Sequence, residues 1–253
     1  MIRRFPTFGP VAALAAALLV CSPSRAAPEP TTAAAAPDAE RLARGLKLAQ
    51  IVQPRELAVD QSMRTLDRQA VEGLLADPNI KQMESEHPGV VAAMWKASRP
   101  ILAEALAGSL PDLWNGLARV YAKHLSSTQI DEMIRFFQSP TGRKFLVEMN
   151  RNVDSRPMFR DMVRQEGQVG EKSYLETVSG AATAAASAMS PAEMAEIARF
   201  ADSPIGKALQ GVGSDVTKVI LEWSNRSDPK IDARVEAAMV EAIQKFMNGG
   251  RGT

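Results

Sequence analysis

Residues 125–146 read LSSTQIDEMIRFFQSPTGRKFL, and residues 189–210 read MSPAEMAEIARFADSPIGKALQ. The two segments align without a gap over 22 positions, and seven of these positions carry the same residue. An internal match of this kind indicates that the chain builds one structural unit twice. The motif residues are the identical positions and a tyrosine before the first copy: Tyr121, Ser126, Glu132, Arg135, Phe136, Ser139, Pro140 and Gly142, then Ser190, Glu196, Arg199, Phe200, Ser203, Pro204 and Gly206.

Each copy contains two signals for the start of a helix. The first is a serine with Gln or Glu three residues later, which is the spacing of a capping box. The second is the Ser-Pro-x-Gly sequence at residues 139–142 and 203–206. There the serine is an N-cap, proline occupies the first helical position, and the preceding helix must end before the proline. The pattern predicts a short helix, a sharp corner and a longer helix, with a glycine that lets another backbone approach closely.

Two features of the copies are not explained by helix punctuation. Phe136 and Phe200 lie about 100° away from the main apolar stripe of the short helix. Each phenylalanine therefore packs either into its own corner or against the other copy, and both interpretations stay open at this point. Glu132–Arg135 and Glu196–Arg199 lie opposite the apolar stripe, where we expect exposed ion pairs rather than a paired ligand site.

The rest of the chain favours an all-α fold, a multi-helix array or bundle containing the two corner units. Apolar residues recur at three- and four-residue spacing, and no segment alternates with a period of two. We predict an N-terminal helical hairpin at residues 38–76, a polar loop at 77–88, and two repeat-containing helical regions at 89–165 and 170–248. Within residues 89–124, Pro100 predicts the first turn of a helix capped by Ser98, and Ser109-Leu110-Pro111 predicts a second helix start or a kink. An N-cap at Asp228 predicts the start of the last helix.

Residues 1–26 have the organisation of a secretory signal peptide. Arg3 and Arg4 precede ten apolar residues, and small residues stand at Ser24 and Ala26 before the predicted cleavage site. Ten residues span about 15 Å as a helix, half of the roughly 30 Å hydrocarbon core of a bilayer, so we expect no membrane span in the mature chain. We expect export to a bacterial periplasm, with residues 27–37 as a flexible leader. Lipid anchoring at Cys21 is disfavoured because bulky Val20 precedes it.

Composition excludes several classes of function for the mature chain. Cys21 is the sole cysteine, so its removal leaves no thiol for disulfides, catalysis or metal binding. The signal peptide carries three arginines and no acids, so 30 basic residues become 27 against 29 acidic ones, a net charge of −2. A chain with so little charge lacks the positive field of a nucleic-acid-binding protein. We expect no cofactor.

The polar residues do not form a recognisable catalytic or metal-binding motif. His87 and Glu84 fall in the predicted loop, and His124 is expected at the end of a helix, where a positive charge favours the dipole. No nucleophile elbow accompanies the histidines. We therefore assign no catalytic and no metal-binding residues.

Over residues 114–146 the chain resembles the bacterial family called domain of unknown function 2059. The resemblance rests on Tyr121, the Ser126 cap, Ile130, and an aromatic pair before Ser-Pro-x-Gly and a basic residue. It is weaker over residues 189–210, where Ala201 replaces the second aromatic residue. The resemblance implies an exported helical protein without an established activity, and it supplies no catalytic residues.

These observations favour a non-catalytic binding or interaction module. Its partner would be another protein, a peptide, an apolar ligand or a second copy of the chain. A cell-envelope hydrolase using acidic residues stays open as the alternative. An apolar groove between the copies would favour binding, and two buried carboxylates facing each other would favour the enzyme.

Overall fold

Eleven α-helices and no strands make up the computed structural model over its described residues, 38–164 and 168–249. The predicted all-α class is confirmed. The predicted signal peptide, the leader and Cys21 lie outside the described residues. The helices are α1 (Ala39–Val52), α2 (Arg55–Leu75), α3 (Pro78–Glu86), α4 (Val90–His124), α5 (Ser127–Gln138), α6 (Pro140–Arg151), α7 (Arg156–Arg164), α8 (Glu171–Ser187), α9 (Pro191–Asp202), α10 (Pro204–Ser224) and α11 (Pro229–Gly249).

The 35-residue helix α4 is the axis on which the other elements are arranged. Helices α1 and α10 pack on its C-terminal half, and α2 and α11 flank its N-terminal half. The contact with α1 is close because Gly45 lies against the backbone of α4, where an added Cβ atom would be 2.8 Å from the carbonyl oxygen of Ala118. No helix in the described ranges has both the length and the apolar composition needed to cross a membrane.

The predicted helix start at Ser98–Pro100 was wrong, and no new helix starts at Pro111, because α4 continues through both prolines. Both proline rings are exposed, so neither displaces a packed neighbour. Ser98 does not cap a new helix. Its hydroxyl donates back to the carbonyl oxygens of Met94 and Trp95, each at 3.1 Å. Packing of the flanking helices outweighs the cost of the prolines.

The prediction of a loop at residues 77–88 was also wrong, because α3 forms there. The carboxylate of Asp77 accepts from the amides of Asn79 and Ile80, and Pro78 occupies the first turn. Ile80 anchors the helix in the core with 3 % exposure. The same Asp-Pro signal starts α11, where the prediction agrees with the structure.

The predicted longer helix after each corner occurs only in the second copy. Helix α10 has 21 residues, whereas α6 has 12, the same length as α5. Helix α6 ends at Asn152, whose side-chain amide donates to the carbonyl oxygen of Glu148 at 2.8 Å. Asp154 then accepts from the backbone N–H of Arg156 and starts α7.

The described side chains form two apolar cores. The main core contains residues from α1, the C-terminal half of α4, α5, α6, α8, α9 and α10. The small core lies at the other end of α4 and consists of Leu74, Ile80, Val90, Val91, Met94, Val235 and Met239. The division of the chain into regions 38–76, 89–165 and 170–248 stays a prediction.

Candidate functional site

Both capping boxes form with the same geometry. The amide of Gln129 donates to the Ser126 hydroxyl at 3.3 Å, and the amide of Ser126 donates to the Gln129 side chain at 2.8 Å. Ser190 and Glu193 repeat these two bonds at 3.3 and 2.8 Å. Each box satisfies two backbone amides that would otherwise lack partners. The first helix of each copy therefore begins at an equivalent, fixed position.

The two Ser-Pro-x-Gly corners also share their geometry. Ser139 and Ser203 adopt nearly identical extended backbones, and their hydroxyls accept from the amides of Gly142 and Gly206 at 3.0 and 3.2 Å. Pro140 and Pro204 occupy the first turns of α6 and α10, and both prolines are exposed.

The glycines of the corners lie against the last turn of the preceding helix. A Cβ atom on Gly142 would overlap the carbonyl oxygen of Phe136, and one on Gly206 would overlap the carbonyl oxygens of Phe200 and Ala201. The close backbone approach inferred from the sequence is therefore present at both corners. Its partner is the helix that the corner itself terminates.

The aromatic residues of the motif join the two copies. The rings of Phe136 and Phe200 are stacked, with centroids 3.9 Å apart and an interplanar angle of 8°. Phe137 meets both rings edge-on, with centroids at 5.3 and 6.3 Å. Of the two interpretations left open by the sequence, packing against the other copy is the observed one.

Two polar contacts lie beside the aromatic stack. The Thr141 hydroxyl donates to the Glu196 carboxylate at 2.5 Å, and the Lys144 ammonium contacts the Glu193 carboxylate at 2.7 Å. The Lys144 hydrogen bond and the backbone amide of Ser190 lower the pKa of Glu193 to about 2. One carboxylate thus caps α9 and also binds α6. We call the Phe136–Phe200 stack and these two contacts the corner joint.

The polar part of the corner joint is one-sided. Position 141 corresponds to Ile205 in the second copy, and position 144 corresponds to Ala208. Neither side chain can donate a hydrogen bond to the first copy. The aromatic stack pairs equivalent residues, whereas the polar contacts run only from α6 to α9.

Burial also distinguishes the copies. In α5 the apolar face is buried throughout: Ile130, Met133, Ile134 and Phe137. In α9 the equivalent face has Ile197 buried, Met194 and Ala201 half-buried, and Ala198 exposed. Helix α5 therefore buries its whole apolar face, whereas α9 buries only part of the equivalent face.

The two predicted Glu–Arg pairs have different outcomes. Glu132 and Arg135 form the expected exposed ion pair at 3.7 Å. Glu196 and Arg199 do not pair. Glu196 accepts from Thr141, and Arg199 donates to the carbonyl oxygen of Ala195 at 3.3 Å. The prediction was wrong for the second pair because the Thr141 hydroxyl, which is distant in sequence, donates to the Glu196 carboxylate.

Tyr121 and His124 lie near the C-terminal end of α4. Tyr121 is 2 % exposed in the main core, and burial raises the pKa of its hydroxyl. His124 stands in the last helical turn as expected, and its Nε2 lies 2.7 Å from the carboxylate of Asp215 on α10. The His124 hydrogen bond and Lys123 lower the pKa of Asp215. Lys123 and His124 therefore join α4 to α10 through Asp215.

Among the described residues, no two buried carboxylates face each other, which is the arrangement expected of the alternative hydrolase. Across the residues whose burial is described, every buried polar side chain is uncharged. Glu84 accepts from the amides of Gly89 and Val91 at 2.7 and 2.8 Å, which lowers its pKa and caps the start of α4. Within the described ranges, no three His, Asp or Glu side chains gather as metal ligands.

The structure thus defines an all-α protein in which two equivalent helical corners dock on each other. Residues 112–153 match the model of a bacterial family described as "Uncharacterized protein conserved in bacteria (DUF2059)". This match confirms the predicted resemblance, and it includes Tyr121 and the first corner. No curated protein and no solved structure gives a significant match to the chain.

Sequence reasoning missed the residues that give the joint its polarity. Thr141 and Lys144 lie in the first turns of α6, beside the proline and glycine that drew attention to the corner. Their charge and hydrogen-bonding capacity became informative only when α9 was placed next to them. Glu193 was assigned to capping alone, although it also pairs with Lys144.

Proposed function

We propose that this chain is an exported, periplasmic, non-catalytic binding protein, and that it binds an apolar segment of another protein. The corner joint would be the rigid support of this protein rather than its contact surface. Phe136 and Phe200 are stacked on each other, and Thr141, Lys144, Glu193 and Glu196 are paired within the chain. These side chains already have partners within the chain, so an external ligand would have to displace those contacts.

The observation that carries the proposal is the incomplete cover of the small core. Three of the four exposed large apolar side chains in the described ranges are on the helices that flank it: Val71 on α2, and Val240 and Phe246 on α11. We call these three residues the small-core surface. Several other large side chains that pack against the small core are only half-buried, including Leu75, Met83, Trp95, Leu102 and Ile243.

Apolar groups concentrated at one end of a molecule favour a partner that removes them from water. Two basic residues of α11 are already paired, Arg234 with Glu104 and Lys245 with Glu241. A partner contacting this end would therefore gain mainly from apolar contact. The apolar face of a helix or an extended apolar segment meets that requirement.

Site-specific photo-crosslinking tests the proposal in the producing bacterium. A photoreactive residue would replace Val240 or Phe246, and the matched control would carry it at Val147 on α6, which is equally exposed but far along the chain from the small core. We expect adducts of defined mass when the photoreactive residue is at position 240 or 246. The adduct from position 240 should be lost in Phe246→Ser, and the adduct from position 246 should be lost in Val240→Ser. Equal labelling from Val147, or adducts unaffected by serine substitution, would contradict a partner site at the small core.

Localisation has its own measurement. Fractionation and mass spectrometry of the N-terminus should recover the chain from the periplasm, beginning near Ala27. A chain that begins with acylated Cys21 would contradict the unanchored form. A cytoplasmic chain that still carries residues 1–26 would contradict export.

A further inference from the structure

We infer that one side of α9 is a docking surface for a basic amphipathic helix of another protein. Ala195, Ala198 and Asp202 follow one another at three- and four-residue spacing, so they lie on one side of the helix. We call these three residues the α9 side. Helix α9 contributes Ile197 to the main core, so this surface is distinct from the small-core surface and does not depend on the partner proposed there.

Two three-helix units of the chain pack on each other in a reciprocal way. The first unit consists of the C-terminal half of α4 with α5 and α6, and the second consists of α8, α9 and α10. Helix α10 of the second unit packs on α4 and α5, and α6 of the first unit packs on α8 and α9. Each helix of one unit therefore has a counterpart in the other, 64 positions away in the sequence.

Helix α1 departs from this correspondence, because it packs on α4 and α5 of the first unit. The Arg44 guanidinium contacts the Asp131 carboxylate of α5. The Trp114 indole of α4 donates to the carbonyl oxygen of Gln53, at the end of α1, at 3.0 Å. Asp131 thus marks the side of α5 that α1 covers. Ile134, three residues further along the same side, is 6 % exposed.

The equivalent side of α9 is uncovered. Ala195 and Ala198 correspond to Asp131 and Ile134, and both alanines are exposed. Within residues 38–164 and 168–249, only α10 and α6 pack extensively on α9. The second unit therefore lacks a helix in the place that α1 takes on the first unit.

The surroundings of the α9 side carry little charge. Residues 177–192, which include most of α8 and the start of α9, contain no charged side chain. Ala186 of α8 is half-buried, whereas its counterpart Ala122 on α4 is 0 % exposed beneath the helices of the first unit. A helix docked here would bury alanine side chains without removing a charge from water.

The charge of the α9 side selects a basic occupant. Asp202 is exposed, and it has no ion-pair partner in the part of the chain that the structure describes. In the first unit, Asp131 on the equivalent side of α5 is paired with Arg44 of α1. A basic residue on a docked helix would complement Asp202 in the same way. The rest of the contact is apolar, which is the usual mode of an amphipathic helix on a helical surface.

The size of the side chains adds a second requirement. Ala198 and Ala201 stand where α5 has Ile134 and Phe137. Small residues on one surface leave space for larger ones on the surface that faces it. The occupant should therefore carry larger apolar side chains than α1, which buries Gly45, Leu48, Ala49 and Val52.

Fluorescence anisotropy with a synthetic peptide tests the docking on the full chain. The probe is the sequence of residues 38–53 with Ala49→Leu, and it keeps the basic residues of α1. A hydrocarbon staple between positions 43 and 50, which are exposed in α1, holds it helical, because so short a helix is marginal in water. We expect saturable one-to-one binding, and none for the same peptide with Leu48→Glu. Absence of saturable binding, or equal binding of both peptides, would overturn the inference.

Two arginine variants locate the binding site on α9. Ala198→Arg places a bulky positive charge in the α9 side, and Ala192→Arg makes the same change at an exposed position on another side of the helix. Ala198→Arg should weaken binding of the probe by at least about tenfold, whereas Ala192→Arg should keep the wild-type affinity. Both positions are exposed, so neither variant should change the melting temperature. The same affinity in both variants would overturn the α9 side as the site.

Asp202→Asn tests the basic character of the occupant. This variant should weaken binding by about two- to fivefold and reduce its dependence on salt. Glu236→Gln, at an exposed position of α11, removes the same charge elsewhere and should leave both quantities unchanged. The same change in the two variants would contradict a specific contact with Asp202.

Sedimentation of the chain without peptide distinguishes a second copy of the chain from another protein. We expect a monomer at the concentrations used for binding. A dimer that is dissociated by Ala198→Arg and kept in Ala192→Arg would overturn the inference, because the α9 side would then be covered by a second copy.

Discussion

The ring of Phe136 lies parallel to the ring of Phe200, with their centroids 3.9 Å apart, although 64 residues separate them in the sequence. The two residues occupy equivalent positions of the two corner units. The stack therefore joins α5 to α9 at the point where both helices end, and the two corners form one structural element.

The stack should be measurable as a coupling between two substitutions. Phe136 is 8 % exposed, so Phe136→Ala should destabilise the fold by about 3–5 kcal/mol. Phe200→Ala should lower the free energy of unfolding by less, because Phe200 is only half-buried. A double-mutant cycle followed by denaturant unfolding should give a coupling of about 0.5–1.5 kcal/mol. Additive effects would mean that the rings do not interact in solution. Phe246→Ala, at an exposed site, is the control and should change stability little.

The corner glycines should not accept a side chain. Gly142→Ala and Gly206→Ala place a Cβ atom against the carbonyl oxygens of the preceding helix and should each lower stability by roughly 2 kcal/mol or more. Gly211 is the matched control, because an added Cβ atom there meets no neighbour within 4 Å. Gly211→Ala should stabilise the protein by up to about 1 kcal/mol through helix propensity. Thermal melting of the three variants makes the comparison, and unchanged melting of both corner variants would reject the close approach.

Glu193 should make stability depend on acid pH. Its pKa in the folded chain is lowered to about 2, from an ordinary value of 4.5, chiefly by the hydrogen bond from Lys144. A lowered pKa means that the charged carboxylate favours the folded state above pH 4.5, and this contribution is lost as the pH falls towards 2. Glu193→Gln should therefore flatten the stability profile between pH 5 and about pH 2. Glu132→Gln, at an exposed surface pair, is the control. Parallel profiles for the wild type and Glu193→Gln would contradict the contact with Lys144.

Glu84 should stabilise the start of α4. Its carboxylate accepts from two backbone amides at that helix end, so Glu84→Ala should cost about 0.5–2 kcal/mol, the usual range for a lost N-cap. Glu86→Ala in the same helix removes an exposed side chain whose hydrogen-bond partner is Gln82, and it should change stability little. Equal midpoints for the two variants in urea would exclude the capping role.

The parts of the fold that depend on local signals could be predicted from the sequence. The four serine caps and the Asp-Pro start of α11 are encoded within a few residues. The caps satisfy their own helix ends, so no distant neighbour is needed to form them.

The errors occurred where distant contacts decide the outcome. Pro100 and Pro111 reduce helix propensity, but helices packed along α4 keep it continuous. Residues 77–88 are polar, yet Ile80 and the reach of Glu84 to the start of α4 stabilise a helix there.

The candidate site was predicted only in part for the same reason. The sequence predicted that Phe136 and Phe200 lie away from the apolar stripe. It did not decide whether each ring packs into its own corner or against the other copy. It contained no signal for the Thr141–Glu196 contact, because a threonine at a helix start and a glutamate on an exposed face are ordinary residues in each local setting.

The different burial of α5 and α9 has a consequence for how the two copies tolerate change. A substitution on the apolar face of α5 alters a packed core, whereas six of the twelve positions of α9 are exposed and accept many side chains. Natural substitutions should therefore accumulate faster in the second copy, and its similarity to the first copy should become harder to detect. The family match over residues 112–153 covers the first copy and ends before α9 begins. A family model built on the first corner unit of such a protein matches that unit and does not match the second one.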